Sequence, residues 1–175
     1  MDIKSLIYRF ANLGTWSRGD QRALHKPLLV LYALGRWQRC EFSDIPFEAD
    51  QFDLTALLKK FGPPRQSFHP EYPFWRLQND GILTVTADFP MRLRVSNTDL
   101  PKSELLRANA RGEFSDEVER TLIAHPEAIA AIATALLERY FPESLHRDIR
   151  DAVGLSLEPR SGQGEGHKVP DPARP

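Results

Sequence analysis

Residues 28–34 read Leu-Leu-Val-Leu-Tyr-Ala-Leu, apolar on every side of a helix and not along one stripe. Such a helix has to be enclosed by other elements, because any face left in water would expose several large side chains. Pro27 stands just before the run, suited to the first turn of a helix, where its missing N–H is not needed. His25 and Lys26 precede it, so the buried helix opens on a cationic, proline-started edge. The remaining chain must supply amphipathic partners. Ile3, Leu6, Ile7, Phe10 and Leu13 follow helical spacing up to Gly14. Leu54, Leu57, Leu58 and Phe61 predict a third helix, capped by Asp53 and stopped by Gly62-Pro63-Pro64. Further helices are expected over residues 103–110, 116–124, 126–141 and 144–153, the last ended by Gly154.

Strand signals are fewer. A short extended piece is expected at residues 42–45. Residues 74–77 and 82–86 flank Gln78-Asn79-Asp80-Gly81, a sequence that suits a hairpin because Asn, Asp and Gly tolerate positive φ. Met91, Leu93 and Val95 alternate with Arg92 and Arg94, which predicts a third strand. The expected fold class is therefore mainly α with a small antiparallel β-hairpin or sheet (α+β). It is a helical domain with a winged-helix-like element order. Residues 1–157 form the expected domain. Residues 158–175 are Gly-, Pro- and charge-rich without apolar periodicity, the composition of a disordered tail or interdomain linker.

The chain of 175 residues is long enough for one well-formed core. No stretch approaches the roughly 20 apolar residues that span a bilayer, and the first residues read as an amphipathic helix and not a signal peptide. Cys40 is the single cysteine, which leaves no internal disulfide or zinc cluster and fits a reduced, cytoplasmic setting. The five histidines show no metal-ligand spacing. There is no phosphate loop, nucleophile elbow or nuclease pattern. The expectation is a chain with no catalytic residues, no metal, no cofactor and no small-molecule substrate.

A net charge of −1 argues against promiscuous nucleic-acid binding. The average hides a local bias, since Arg18, Arg22, Lys26, Arg36 and Arg39 lie between Gly14 and Cys40 against Asp20 alone. Further on, Tyr72, Pro73, Phe74 and Trp75 adjoin Arg76. Apolar and aromatic groups beside fixed cations can bind something anionic but poorly hydrated.

Together, His25-Lys26-Pro27 before the Leu-rich helix and Tyr72-Pro73-Phe74-Trp75-Arg76 before an Asn-Asp-Gly turn resemble the sulfur-binding domain of McrA-like, type IV restriction endonucleases. These recognise phosphorothioated DNA. The likeness covers residues 3–155, with 141–155 resembling the closing helix of the domain. It implies a sulfur pocket formed by Lys26, Tyr72, Pro73 and Arg76, with Pro27 and His25 opposite. This chain departs from some members in having Lys26 where they carry Arg, and Arg76 where they carry a small residue. Base-edge readout is expected from Asn79 and Arg76, since amides and guanidinium groups pair well with purine edges; His25 and Trp75 are further candidates for base or backbone contacts, and Arg18, Arg22 and Arg111 for ordinary phosphate contacts. The implied partner is phosphorothioate-modified double-stranded DNA, with a downstream His-Asn-His nuclease domain expected in cis and no membrane association.

Two other classes fit parts of the pattern. A winged-helix regulator would read unmodified duplex through an exposed polar helix. A protein-interaction domain would use exposed aromatics as its patch.

Overall fold

The computed structural model describes residues 1–15, 24–39, 44–93 and 99–158, together with the backbone of two short strands at 17–18 and 21–22. Trp16, Phe42, Arg94, Val95 and the tail from residue 159 lie outside the described residues, as do the side chains of Arg18 and Arg22.

In chain order the elements are α1 (Ile3–Ala11), β1 (Ser17–Arg18), β2 (Gln21–Arg22), α2 (His25–Gln38), β3 (Asp44–Pro46), α3 (Phe47–Phe61) and α4 (Glu71–Arg76). A 3-10 turn (Leu77–Asp80) follows, then β4 (Leu83–Thr86), α5 (Lys102–Arg107), β5 (Arg111–Phe114), α6 (Asp116–Ala124), α7 (Ala128–Tyr140) and α8 (Glu143–Val153). The fold is mainly helical with a small antiparallel sheet, the class expected from the sequence. No single helix among the described residues is long and apolar enough to cross a membrane.

Helix α2 is the axis. Pro27 through Gly35 are all buried, and α3, α4, α7 and α8 pack around them. Gly35 sets the approach to α8: a Cβ there would lie 2.1 Å from the Val153 carbonyl oxygen. Arg39 closes the same junction by donating to the Val153 and Gly154 carbonyls, which the end of α8 leaves without intrahelical partners. Gly154 adopts φ +64°, the left-handed stop that its position predicts. Helix α1 buries Leu6 and Phe10 and starts at Asp2, whose carboxylate accepts the Ser5 N–H at 2.9 Å.

The sheet differs from expectation in where its strands come from. Its order is β3-β5-β4, antiparallel throughout. The predicted hairpin across Asn79-Asp80-Gly81 does not form. Residues 71–76 are helical, and Gly81, at φ +67°, ends the 3-10 turn. The ambiguity is physical, because a left-handed glycine serves a hairpin turn and a helix stop equally well. What decides is burial: Pro73, Phe74 and Leu77 are buried while Tyr72 and Arg76 are exposed, which is helical and not alternating spacing. Pro70 and Pro73 sit where a helix start tolerates them.

Residues 91–93 form no strand. Their expected place in the sheet is taken by β5, whose Arg-Gly-Glu-Phe sequence gives little strand signal. Helix α3 begins at Phe47 and not at Asp53, because Phe47 is fully buried and its N–H bonds the Ala110 carbonyl. Helix α5 ends at Arg107, and Asn109, at φ +51°, turns the chain into β5.

Gly35→Ala is expected to destabilise the domain by about 2 kcal/mol or more, since the clashing atom belongs to a neighbouring backbone. Denaturant unfolding checks this, and a change within about 0.5 kcal/mol would contradict the close α2–α8 approach.

Candidate functional site

Helix α4 has only six residues, so its position depends on what it buries. Phe74 is its anchor. The side chain is fully buried, its ring centroid is 4.9 Å from that of Phe47, and it lies against Gly112 of the central strand. A Cβ at Gly112 would sit 3.1 Å from the Phe74 ring, so glycine is what lets the ring down onto the sheet. With Phe74 fixed inward, Tyr72 and Arg76 share the outward face one turn apart.

That face meets the start of α2, the loop after α1 and the loop at residues 62–70 around a cleft of about 310 Å³. Five of the residues singled out from the sequence line it: His25, Lys26, Tyr72, Pro73 and Arg76. Tyr72 and Pro73 bring ring and CH groups to the lining. The Tyr72 ring stacks with His69 at a centroid distance of 4.9 Å, and the Arg76 guanidinium lies 5.3 Å from the same centroid. Two flat neighbours and a proline leave the ring little freedom.

The cations are not bare. Lys26 Nζ donates to Asp80 Oδ2 at 2.6 Å and to the Gly14 carbonyl at 2.8 Å. The other Asp80 oxygen accepts the Gly14 N–H at 2.7 Å, tying the loop after α1 to the 3-10 turn. Arg76 grips Asp99 with two donors, Nε at 2.8 Å from Oδ1 and Nη2 on the second oxygen. The Arg76 hydrogen bonds hold the Asp99 carboxyl below its ordinary range and push the guanidinium's own pKa up.

Sequence reasoning missed Arg65, Ser67 and His69, which also line the cleft. They fall in a Pro-rich stretch that reads only as a helix stop; a signal was there in Arg and His placed between prolines just ahead of Tyr72. Arg65 has no ion-pair partner among the described residues. His69 lies 3.0 Å from Ser67 Oγ and 2.9 Å from the buried Glu71 carboxylate.

The other expected contacts lie elsewhere. Pro27 is buried within α2 and shapes the edge from behind. Trp75 is half-buried against the core, and Asn79 is exposed on the 3-10 turn. Arg111 pairs with Asp88 at 2.7 Å and Asp44 at 3.9 Å, on the sheet. Among the described residues no group of three His, Cys, Asp or Glu is placed to hold a metal. The arrangement suits a binding site for an anion with one apolar face.

His25 adds a pH dependence. Burial lowers its pKa below the ordinary 6.5, and the neighbouring Arg65 and Arg76 guanidinium groups lower it further. Protonation therefore favours the unfolded chain. The stability this position contributes is full above pH 6.5 and is lost as pH falls through the lowered native value. His25→Gln should flatten that part of the pH profile of Tm below pH 6.5; an unaltered profile would contradict the assignment.

Solved structures share the fold, three of them as follows. The sulfur-binding domain of ScoMcrA, complexed with phosphorothioated DNA, matches with a TM-score of 0.72 and 24% identity, over 85% of this chain and 94% of that one. The sulfur-binding domain of SprMcrA, also complexed with phosphorothioated DNA, matches with a TM-score of 0.71 and 20% identity, over 89% and 95%. The type IV phosphorothioation-dependent restriction endonuclease ScoMcrA matches with a TM-score of 0.67 and 24% identity, and the chain covers 28% of it. No curated protein matches by sequence. The family of ScoMcrA-like DNA sulfur-binding domains matches residues 3–158, nearly the whole described chain. With that match, and with His25, Lys26, Tyr72, Pro73 and Arg76 gathered at one cleft, the chain belongs to the ScoMcrA-like DNA sulfur-binding domain family.

Proposed function

We propose that this domain binds phosphorothioate-modified double-stranded DNA, with the sulfur seated against Tyr72 and Pro73. The observation that carries the reading is the apolar wall at a cleft whose rim is cationic. An ordinary phosphate oxygen placed there loses water and gains no hydrogen bond from ring or CH groups, at a cost of roughly 1–3 kcal/mol. Sulfur is larger, more polarizable and more weakly hydrated, so it loses less and gains dispersion contact. Arg65 and the aliphatic and guanidinium parts of Arg76 flank the same space. The structural relatives complexed with phosphorothioated DNA support the same ligand.

In this reading Asn79, Trp75 and His25 contact the DNA around the sulfur. Arg18, Arg22 and Arg111 meet ordinary phosphates, Arg111 after exchanging its partner Asp88. The domain acts in the cytoplasm as the targeting module of a modification-dependent endonuclease, with a nuclease domain in cis, as the likeness to full-length ScoMcrA suggests. Reading of unmodified DNA by a helix in the major groove is disfavoured, since residues 27–35 of α2 are buried.

Fluorescence anisotropy with two identical short duplexes, one carrying a single Rp phosphorothioate, tests the reading. The modified duplex should bind about a hundredfold more tightly, roughly 2.7 kcal/mol. Tyr72→Ala and Pro73→Ala should each cut that preference by about tenfold or more. Tyr72→Ala should lower Tm only slightly, because the residue is 38% exposed. Equal binding of both duplexes by the wild type, or full discrimination in both mutants, would contradict it.

A further inference from the structure

Lys26 lines the cleft, yet most of its hydrogen-bonding capacity is spent inside the protein. A lysine ammonium has three N–H donors. Two of them are held by Asp80 Oδ2 at 2.6 Å and the Gly14 carbonyl at 2.8 Å. The Lys26 and Asp80 side chains are only 12% and 10% exposed, so water screens the pair little. Arg76 is treated alike, with Nε and Nη2 both turned onto Asp99. Each of these rim cations therefore arrives with its own carboxylate.

This pairing bears on how an apolar cup can reject oxygen. Rejection weakens with every bare donor that stands ready to replace the hydration a phosphate oxygen gives up, and a freed Lys26 would add one to Arg65. Oxygen is the smaller, harder acceptor, and a charge-assisted N–H···O bond is short and strong. Sulfur, with its diffuse charge, gains less from the same donor. A freed Lys26 would thus help the wrong ligand more than the right one.

Resting on the sulfur-binding reading above, we propose that Asp80 is a specificity-determining residue. By holding the Lys26 ammonium, it withholds from ordinary phosphate the donor that would compensate burial against Tyr72 and Pro73. Asp80 touches no DNA in this role and acts through Lys26. Its carboxylate also fixes the Gly14 N–H at 2.7 Å, which keeps the loop after α1 at the rim of the cleft.

The test is Asp80→Asn, measured against the matched duplexes with and without a single Rp phosphorothioate. Asparagine can still accept the Gly14 N–H through its carbonyl, while its amide offers Lys26 no charge and one donor too many. Unmodified duplex should bind about fivefold or more tightly than to wild type, and modified duplex should change by less than about twofold. The ratio of the two affinities therefore falls. Asp80→Ala, which removes the carboxylate altogether, should shift the ratio the same way and guards against an effect peculiar to one variant. Combining Asp80→Asn with Lys26→Met should abolish the gain for unmodified DNA, because the freed ammonium is gone. A ratio unchanged from wild type in both single variants, or a gain that survives Lys26→Met, would overturn the assignment to Asp80 while leaving sulfur recognition intact. Absence of any preference in the wild type would overturn both.

Discussion

Phe74 holds the site together. Its ring is wedged between Phe47 at the start of α3 and the bare backbone of Gly112 in the central strand. That contact joins helix, sheet and cleft in one place. Because α4 is too short to be stable alone, burial of Phe74 is what makes it a helix and aims its outer face. Tyr72 and Arg76 then project one turn apart, and Pro73 between Tyr72 and the anchor stiffens the backbone. A loosely held tyrosine would fold over the cleft or turn away from it. Here His69 stacks on the ring and Arg76 lies over it, so contacts within the protein fix its orientation.

The second organising feature is the way charge is kept in check. A cleft that carried Lys26, Arg65, Arg76 and His25 as four free cations would attract any phosphate, modified or not. Instead, Lys26 is paired with Asp80, Arg76 is paired with Asp99, and His25 is kept toward its neutral form by burial and by its positive neighbours. Of the lysine and two arginines of this set, Arg65 is the one with no ion-pair partner among the described residues. The near-zero net charge of the chain extends the same restraint to the whole molecule. On the proposed reading, long-range attraction is modest and selectivity falls to short-range contact.

Much of this was legible in the chain. The all-apolar run after Pro27 required a central buried helix, and its position placed His25 and Lys26 at an edge. The Tyr72-Pro73 and Arg76 cluster marked the second wall. What could not be read were features that exist only across long separations. Gly112 looks like a strand breaker until the Phe74 ring is laid on it, so β5 carries little strand signal, and Asn79-Asp80-Gly81 suggests a hairpin in its place. Asp80 looked like a turn residue, yet it reaches Lys26, 54 positions earlier. Arg65 and His69 were hidden in a stretch whose prolines signalled only an ending. Alternation and helical spacing report which faces are buried; they do not report which charges meet.

The central claim is that sulfur is chosen by apolar contact and not by charge. The most direct test is the salt dependence of binding to modified and unmodified duplexes, measured in parallel from about 50 to 400 mM salt. Both affinities should fall with the same slope, because the same phosphates are neutralised in each complex, and the gap between them should stay constant. A gap that closes as salt rises would mean that the preference is electrostatic, contradicting the role given to Tyr72 and Pro73.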